Sequence, residues 1–341
     1  MTCHTLLRTA IMVGAATIFA SSAIAADISG AGATFPFPLY TKWAEAYKKE
    51  TGNGLNYQAI GSGGGIKQIQ AKTVTFGATD IPQTAEDQAK FGLVQWPMVM
   101  GGIVAVVNLE GIKSGELVID GTTLGDIFTG KVKTWNDPAL AKLNPGVKLP
   151  ESAITVVHRA DGSGTTFNFT NYLDKVSPDW HTKAGVSQSP EWPVGVGAKG
   201  NDGVSGAVAQ TKGSIGYVEY AYAKQQKLTY ADMVNKEGKR VAPTVPAFQA
   251  AADSAKWDKA PGYYEVLTNE PGAASWPLTA ATFILMYKEP VDKAASAEAL
   301  KFFDWAFKNG NKMAEELDYI PMPASVVTLI QKTWASDIKN K

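Results

Sequence analysis

Thiols are almost missing from this chain: its one cysteine is Cys3. Histidine is nearly as scarce, with three residues, His4, His158 and His181. Transition-metal sites draw on Cys and His, and a serine nucleophile needs a base such as His, so both chemistries are poorly supplied. Neither a G-x-x-x-x-G-K-[ST] phosphate loop nor a G-x-S-x-G elbow occurs. An excess of one charge is also lacking, since 32 Lys and Arg face 32 Asp and Glu. That argues against a nucleic-acid or membrane-surface partner, which would want a basic stripe. An anion bound here must be held by local dipoles and one or two placed cations. Internal repeats, coiled coils and low-complexity runs are absent too.

The N-terminus reads as a secretory signal over residues 1–25. Arg8 is its positive end, an apolar stretch runs from Thr9 to Ala20, and Ala23-Ile24-Ala25 is an A-x-A cleavage site. A membrane anchor is the other reading, but the run is short and ends in small residues. Cleavage after Ala25 would remove Cys3, leaving a soluble mature chain without thiols or disulfides. It would also remove one basic residue, Arg8, and no acid, for a net charge of about −1. A chain of this size exceeds what single cores usually hold, so two lobes are expected.

What the chain does have is three Gly- and hydroxyl-rich loops, each just before a helix. They are Gly30-Ala31-Gly32-Ala33-Thr34-Phe35-Pro36, Gly61-Ser62-Gly63-Gly64-Gly65 and Asp161-Gly162-Ser163-Gly164-Thr165-Thr166. A helix start carries unpaired N–H groups and about half a positive charge, which suits an anion. Glycines let the backbone approach a ligand, and Ser and Thr add hydroxyl donors. Three such loops suggest a small tetrahedral oxyanion held from several sides.

Hydrophobic spacing predicts helices over Pro38–Thr51, from Ile66 onward after the Ser62 loop, over Ser296–Lys308 (Leu300, Phe303 and Ala306 inward) and over Val326–Trp334. Strands are expected at Leu55–Ile60, Thr75–Ala78, Met98–Leu109, Ile154–Val157 and Phe283–Tyr287. The alternation implies an α/β fold with mostly parallel sheets, whose ligands lie beyond the carboxyl ends of strands. Gly101-Gly102 and Pro271-Gly272 are candidate crossovers. The lobes would then be residues 26–102 with 273–341, and residues 103–272.

Individual residues each carry two readings. Arg159 offers a permanent cation with a planar donor fork, and Asp161 would orient it; an ordinary surface pair on a capped helix is the alternative. Thr34 and Ser62 are either ligand donors or helix caps, although a triple glycine after Ser62 is costly for mere capping. Asp80 ends a strand and is either a turn residue or the acceptor for a ligand that carries a proton. Phosphate at neutral pH has such a proton and sulfate does not. Gly195–Gly200 matches G-x-G-x-x-G, but its flanks are expected to spoil the strand-then-helix context of a dinucleotide site.

The chain closely resembles the periplasmic phosphate-binding proteins of high-affinity phosphate ABC transporters. The resemblance runs through Gly30–Pro38, Tyr57–Ile69, Phe76–Pro82, Leu124–Trp135, Arg159–Phe169, Gly200–Gly203, Ile215–Ala223 and Phe302–Trp305. It implies a two-lobed periplasmic-binding-protein fold, each lobe a mostly parallel sheet flanked by helices, that closes over one phosphate. It places Thr34 (hydroxyl), Phe35 (N–H), Ser62 (hydroxyl and N–H), Asp80 (proton acceptor), Arg159, Ser163, Gly164 and Thr165 around phosphate, with Asp161 supporting Arg159. His158 stands where a relative has a second arginine and should face away from the ligand. Partners implied are inorganic phosphate, the transporter's membrane subunits and, through them, its ATPase subunits. The resemblance implies a periplasmic location, a monomer, no cofactor and no metal. The competing functions are a binder of sulfate or molybdate, and a secreted phosphatase using Ser62 or Ser163.

Overall fold

The computed structural model describes residues 28–340; the expected signal segment and its cleavage site lie outside the described residues. The strands are, in chain order, β1 Ile28–Gly32, β2 Leu55–Ala59, β3 Phe76–Thr79, β4 Leu93–Val107, β5 Val118–Ile119, β6 Thr155–Arg159, β7 Val196–Ala198, β8 Ser214–Glu219, β9 Thr229–Tyr230, β10 Asp232–Val234, β11 Arg240–Val241, β12 Thr279–Tyr287 and β13 Ile320–Pro321. The main sheet has the order β2-β1-β3-β12-β4-β8-β6-β7, with β9 and β13 also paired to β4. The strands β11-β10-β5 form a small separate sheet.

Two parallel blocks, β2-β1-β3 and β8-β6-β7, stand at opposite ends of the main sheet. Between them β12 and β4 run antiparallel to their neighbours. The fully buried β4 serves both blocks: Leu93–Gly102 pairs with β12, and Ile103–Val107 pairs with β8. A strand expected from Met98 therefore begins at Leu93 instead. Pro97 obscures its start, because proline has no N–H for a ladder. The sheet accommodates it opposite Phe283, where the register with β12 shifts.

Helix Phe37–Thr51 starts with Pro38 in its first turn and stops at Gly52, whose φ of 82° is left-handed. Its Tyr47 packs edge-on against Phe302 and Trp305 of helix Lys293–Asn309. Phe303 of that helix meets Phe76 and Trp96 at ring distances of 5.0 and 5.7 Å. Burying each ring contributes about 1.5–3 kcal/mol. Leu300 is only half-buried; Ala299, Phe302, Phe303 and Ala306 form the inward stripe. These contacts pack the two helices against β3 and β4, and the loops beyond the carboxyl ends of β1, β2, β3, β6 and β7 carry the candidate site residues. Among the described residues, no helix is long and apolar enough to cross a membrane.

Candidate functional site

The loops that follow those strand ends meet in a buried polar cluster. Thr34, Phe35, Ser62, Asp80, Arg159, Ser163 and Thr165 are all at most 3% exposed, and Gly164 is buried with them. The two sides of the cluster touch directly. The Gly63 N–H donates to Gly162 O at 2.9 Å. A Cβ on Gly164 would lie 2.6 Å from Asp80 Oδ2 and would also strike Ser62 Oγ, so only glycine fits. Gly61 combines a φ of 87° with an approach to Asp161 that a side chain would obstruct.

Arg159 leaves β6 with its side chain only 1% exposed. Asp161 grips it bidentately, Nε to Oδ1 at 2.7 Å and Nη2 to Oδ2 at 2.6 Å. This is the orienting pair expected from the sequence. Asp161 also accepts the Gly200 N–H at 3.1 Å. The Arg159 guanidinium holds the Asp161 carboxyl below its ordinary range, against the burial that would raise it. Arg159 Nη1 remains buried with no hydrogen-bond partner among the described residues.

Asp80 has the opposite character. Burial raises its carboxyl to about 7, outweighing the pull of the Thr282 hydroxyl, the Arg159 charge and the Ser62 hydroxyl. Its Oδ1 is buried and has no hydrogen-bond partner among the described residues. Its backbone is well held: Asp80 N–H donates to Ser62 Oγ at 3.1 Å, and Asn168 Nδ2 donates to Asp80 O at 2.8 Å.

Each hydroxyl in the cluster already accepts an N–H. Ser62 Oγ receives Asp80 N–H, and Ser163 Oγ receives Thr166 N–H at 3.0 Å as an N-cap. Ser163 N–H is engaged by Gln188 O at 3.0 Å, so Ser163 can offer its hydroxyl proton rather than its backbone. Thr34 does not cap the helix after it; that cap position is Pro36. Instead Thr34 Oγ1 receives Asn201 N and Nδ2 at 3.2 and 2.8 Å. Thr165 Oγ1 receives Asn201 Nδ2 at 3.2 Å. Hydroxyls that accept in this way have their protons left to donate. Gly164 and Thr165 open helix Gly164–Val176, where N–H groups have no intrahelical partner.

The sequence reading passed over Asn201, Asn168 and Tyr222, whose hydroxyl donates to Thr34 O at 2.6 Å. It also set aside the segment that carries Asn201. The G-x-G-x-x-G run does contain a strand, β7, and leads into helix Gly200–Gln210. The expectation of a spoiled context was wrong, but the glycines span the strand instead of following it. The helix start is turned to Asp161 and Thr34. A glycine opening a helix was the available signal, the same one that marked the other three loops. His158 lies off this cluster: it stacks on Trp192 at 4.5 Å, and burial lowers its pKa.

Two parallel blocks joined by long shared strands, with polar helix starts meeting between them, define a two-lobed α/β binding-protein fold. Residues 17–309 match the model of the PBP superfamily domain. The chain is 53% identical over 322 residues to Phosphate-binding protein PstS of Pasteurella multocida, covering 94% of both chains. It is also 53% identical over 313 residues to Phosphate-binding protein PstS of Haemophilus influenzae, covering 92% of this chain and 94% of that one. A solved high affinity periplasmic phosphate-binding protein (PfluDING), bound with phosphate at pH 8.5, shares the fold with a TM-score of 0.74 at 20% identity, over 92% of this chain and 96% of that one. The chain belongs to the PstS family of phosphate-binding proteins within the PBP superfamily.

Proposed function

We propose that this protein binds inorganic phosphate in the periplasm and delivers it to the membrane subunits of an ABC transporter, and through them to ATPase subunits, for import. The observation that carries the reading is the pair of orphaned buried atoms: one donor, Arg159 Nη1, and one acceptor, Asp80 Oδ1. Around them stand hydroxyls poised to donate. A ligand that satisfies this set has several anionic oxygens and one O–H. Hydrogen phosphate fits. Sulfate and molybdate have no proton and, above about pH 7 where Asp80 is ionised, would leave it facing a like charge. Sites that recognise a ligand O–H in this way discriminate by roughly 10⁴ or more.

The ligand set is Thr34, Phe35, Ser62, Asp80, Arg159, Ser163, Gly164 and Thr165, with Asp161 orienting Arg159. Its halves belong to two lobes, residues 26–102 with 273–341, and residues 103–272. The strand pairing supports this division, since β4 changes partner from β12 to β8 between Gly102 and Ile103. The protein is a monomer that binds without turnover. Among the described residues, the hydrogen-bond partners of Ser62 and Ser163 include no histidine base. The test is calorimetric titration of the mature protein with phosphate and then sulfate, beside a phosphomonoester hydrolysis assay. One phosphate per chain, no sulfate heat and no hydrolysis are expected. Equal binding of both anions, or steady turnover, would overturn the reading.

A further inference from the structure

Asn201 occupies the first turn of helix Gly200–Gln210 and is fully buried. Its amide orientation follows from its surroundings. Glu219 N–H, at the end of β8, donates to Asn201 Oδ1 at 3.0 Å. The Nδ2 group must therefore face the other way, toward Thr34 Oγ1 at 2.8 Å and Thr165 Oγ1 at 3.2 Å. An amide nitrogen has two protons, and each of these contacts uses one. Asn201 N–H adds a second donor to Thr34 Oγ1 at 3.2 Å.

A threonine hydroxyl has two acceptor lone pairs and one proton. Both lone pairs of Thr34 Oγ1 are taken by Asn201. Thr34 can then only donate to a third group. Thr165 Oγ1 likewise cannot donate to the amide that donates to it. One residue thus fills both lone pairs of Thr34 and one lone pair of Thr165, two hydroxyls that reach the site from opposite sides of the cluster.

We propose that Asn201 is a specificity-determining positioning residue: it saturates Thr34 as an acceptor and occupies one lone pair of Thr165, so that both hydroxyl protons are turned to the ligand while Asp80 offers its carboxylate as acceptor. This inference rests on the phosphate reading. It explains why the Thr34 hydroxyl, which would otherwise accept as readily as it donates, does not accept a ligand proton. At Thr34 a second ligand proton would meet a donor, which disfavours a ligand with two O–H groups in that orientation.

Asn201→Asp tests this with the least disturbance. It keeps the acceptor for Glu219 N–H and replaces the amide donor with an acceptor, to which the two hydroxyls would then turn their protons. Losing hydrogen bonds to a charged ligand should weaken phosphate binding by about 10- to 100-fold. Asn201→Ala, which adds no charge, should act in the same direction. The decisive readout is a double-mutant cycle with Thr34→Val and Thr165→Val. Because Asn201 acts through these hydroxyls, Asn201→Ala should have little further effect once both are gone, whereas a merely structural role would give additive losses. A second measurement needs no variant: in the ¹⁵N NMR spectrum of the wild-type phosphate complex, both Asn201 side-chain amide protons should be protected from exchange. Additive losses in the cycle, or one freely exchanging amide proton, would overturn the inference while leaving wild-type phosphate binding intact. A wild-type protein that fails to bind phosphate would overturn the underlying reading itself.

Discussion

Asp80 and Arg159 are the residues on which the chemistry turns, and their environments push them in opposite directions. Asp80 is raised by burial to about 7, above its ordinary 3.8. Below about pH 4 it is protonated whether the chain is folded or not. Between pH 4 and 7 the unfolded chain ionises while the folded one resists, so stability falls as pH rises through that window. The full cost, on the order of 4 kcal/mol, is present above pH 7. Asp80→Asn should therefore stabilise the phosphate-free protein by about 2–4 kcal/mol at pH 8 and hardly at all at pH 4. Urea denaturation at the two pH values checks this; equal effects at both would show that Asp80 is not a strained buried acid. The same variant should lose discrimination against sulfate more than it loses phosphate affinity, because Asn can offer a donor where only an acceptor was present. For Arg159, removing a buried charge partner costs about 2–5 kcal/mol. Arg159→Ala should weaken phosphate binding by roughly 30-fold to several thousand-fold. Binding within threefold of wild type in a calorimetric titration would reduce Arg159 to a bystander.

At the scale of elements, the site is built from helix starts set beyond strand ends. The Gly164 helix start must pass within contact of Asp80 and Ser62. Gly164→Ala places a methyl in that gap, and overpacking of this kind costs about 1–3 kcal/mol. Phosphate affinity should drop by about 5- to 150-fold, with the melting temperature of the phosphate-free protein much less affected. Full affinity in titrations of Gly164→Ala would mean that the two sides need not meet. These glycine-led helix starts were legible in the sequence, because glycine before a hydroxyl and a helix is a local pattern. Arg159 with Asp161 was legible for the same reason: two residues apart, they report on each other. Asn201 was not, because its partners, Thr34, Thr165 and Glu219, are brought to it only by the packing of distant segments. The start of β4 was missed because Pro97 argues locally against a strand, and only the register shift opposite it resolves the conflict. The crossover at Gly101-Gly102 was legible, but its antiparallel direction was hidden, since strand direction depends on a partner that residue spacing does not show.

For the whole molecule, near-zero net charge and a buried hydrogen-bonded site go together. Screening acts mainly on exposed charges separated by more than about 8–10 Å. Phosphate affinity should therefore fall only modestly between low and physiological salt in parallel titrations; a steep decline would point to an open basic patch. Thr34, Ser62 and Asp80 come before the β4 crossover, and Arg159 to Thr165 come after it. A ligand that joins both sets favours the state in which they meet, by its differential affinity for that state. Small-angle scattering of the mature protein, without ligand, with saturating phosphate and with equal sulfate, tests this claim most directly. The account predicts that phosphate shrinks the radius of gyration and sulfate leaves it unchanged. Full phosphate occupancy with an unaltered scattering curve, or the same shrinkage with sulfate, would contradict a single protonated anion bridging two lobes.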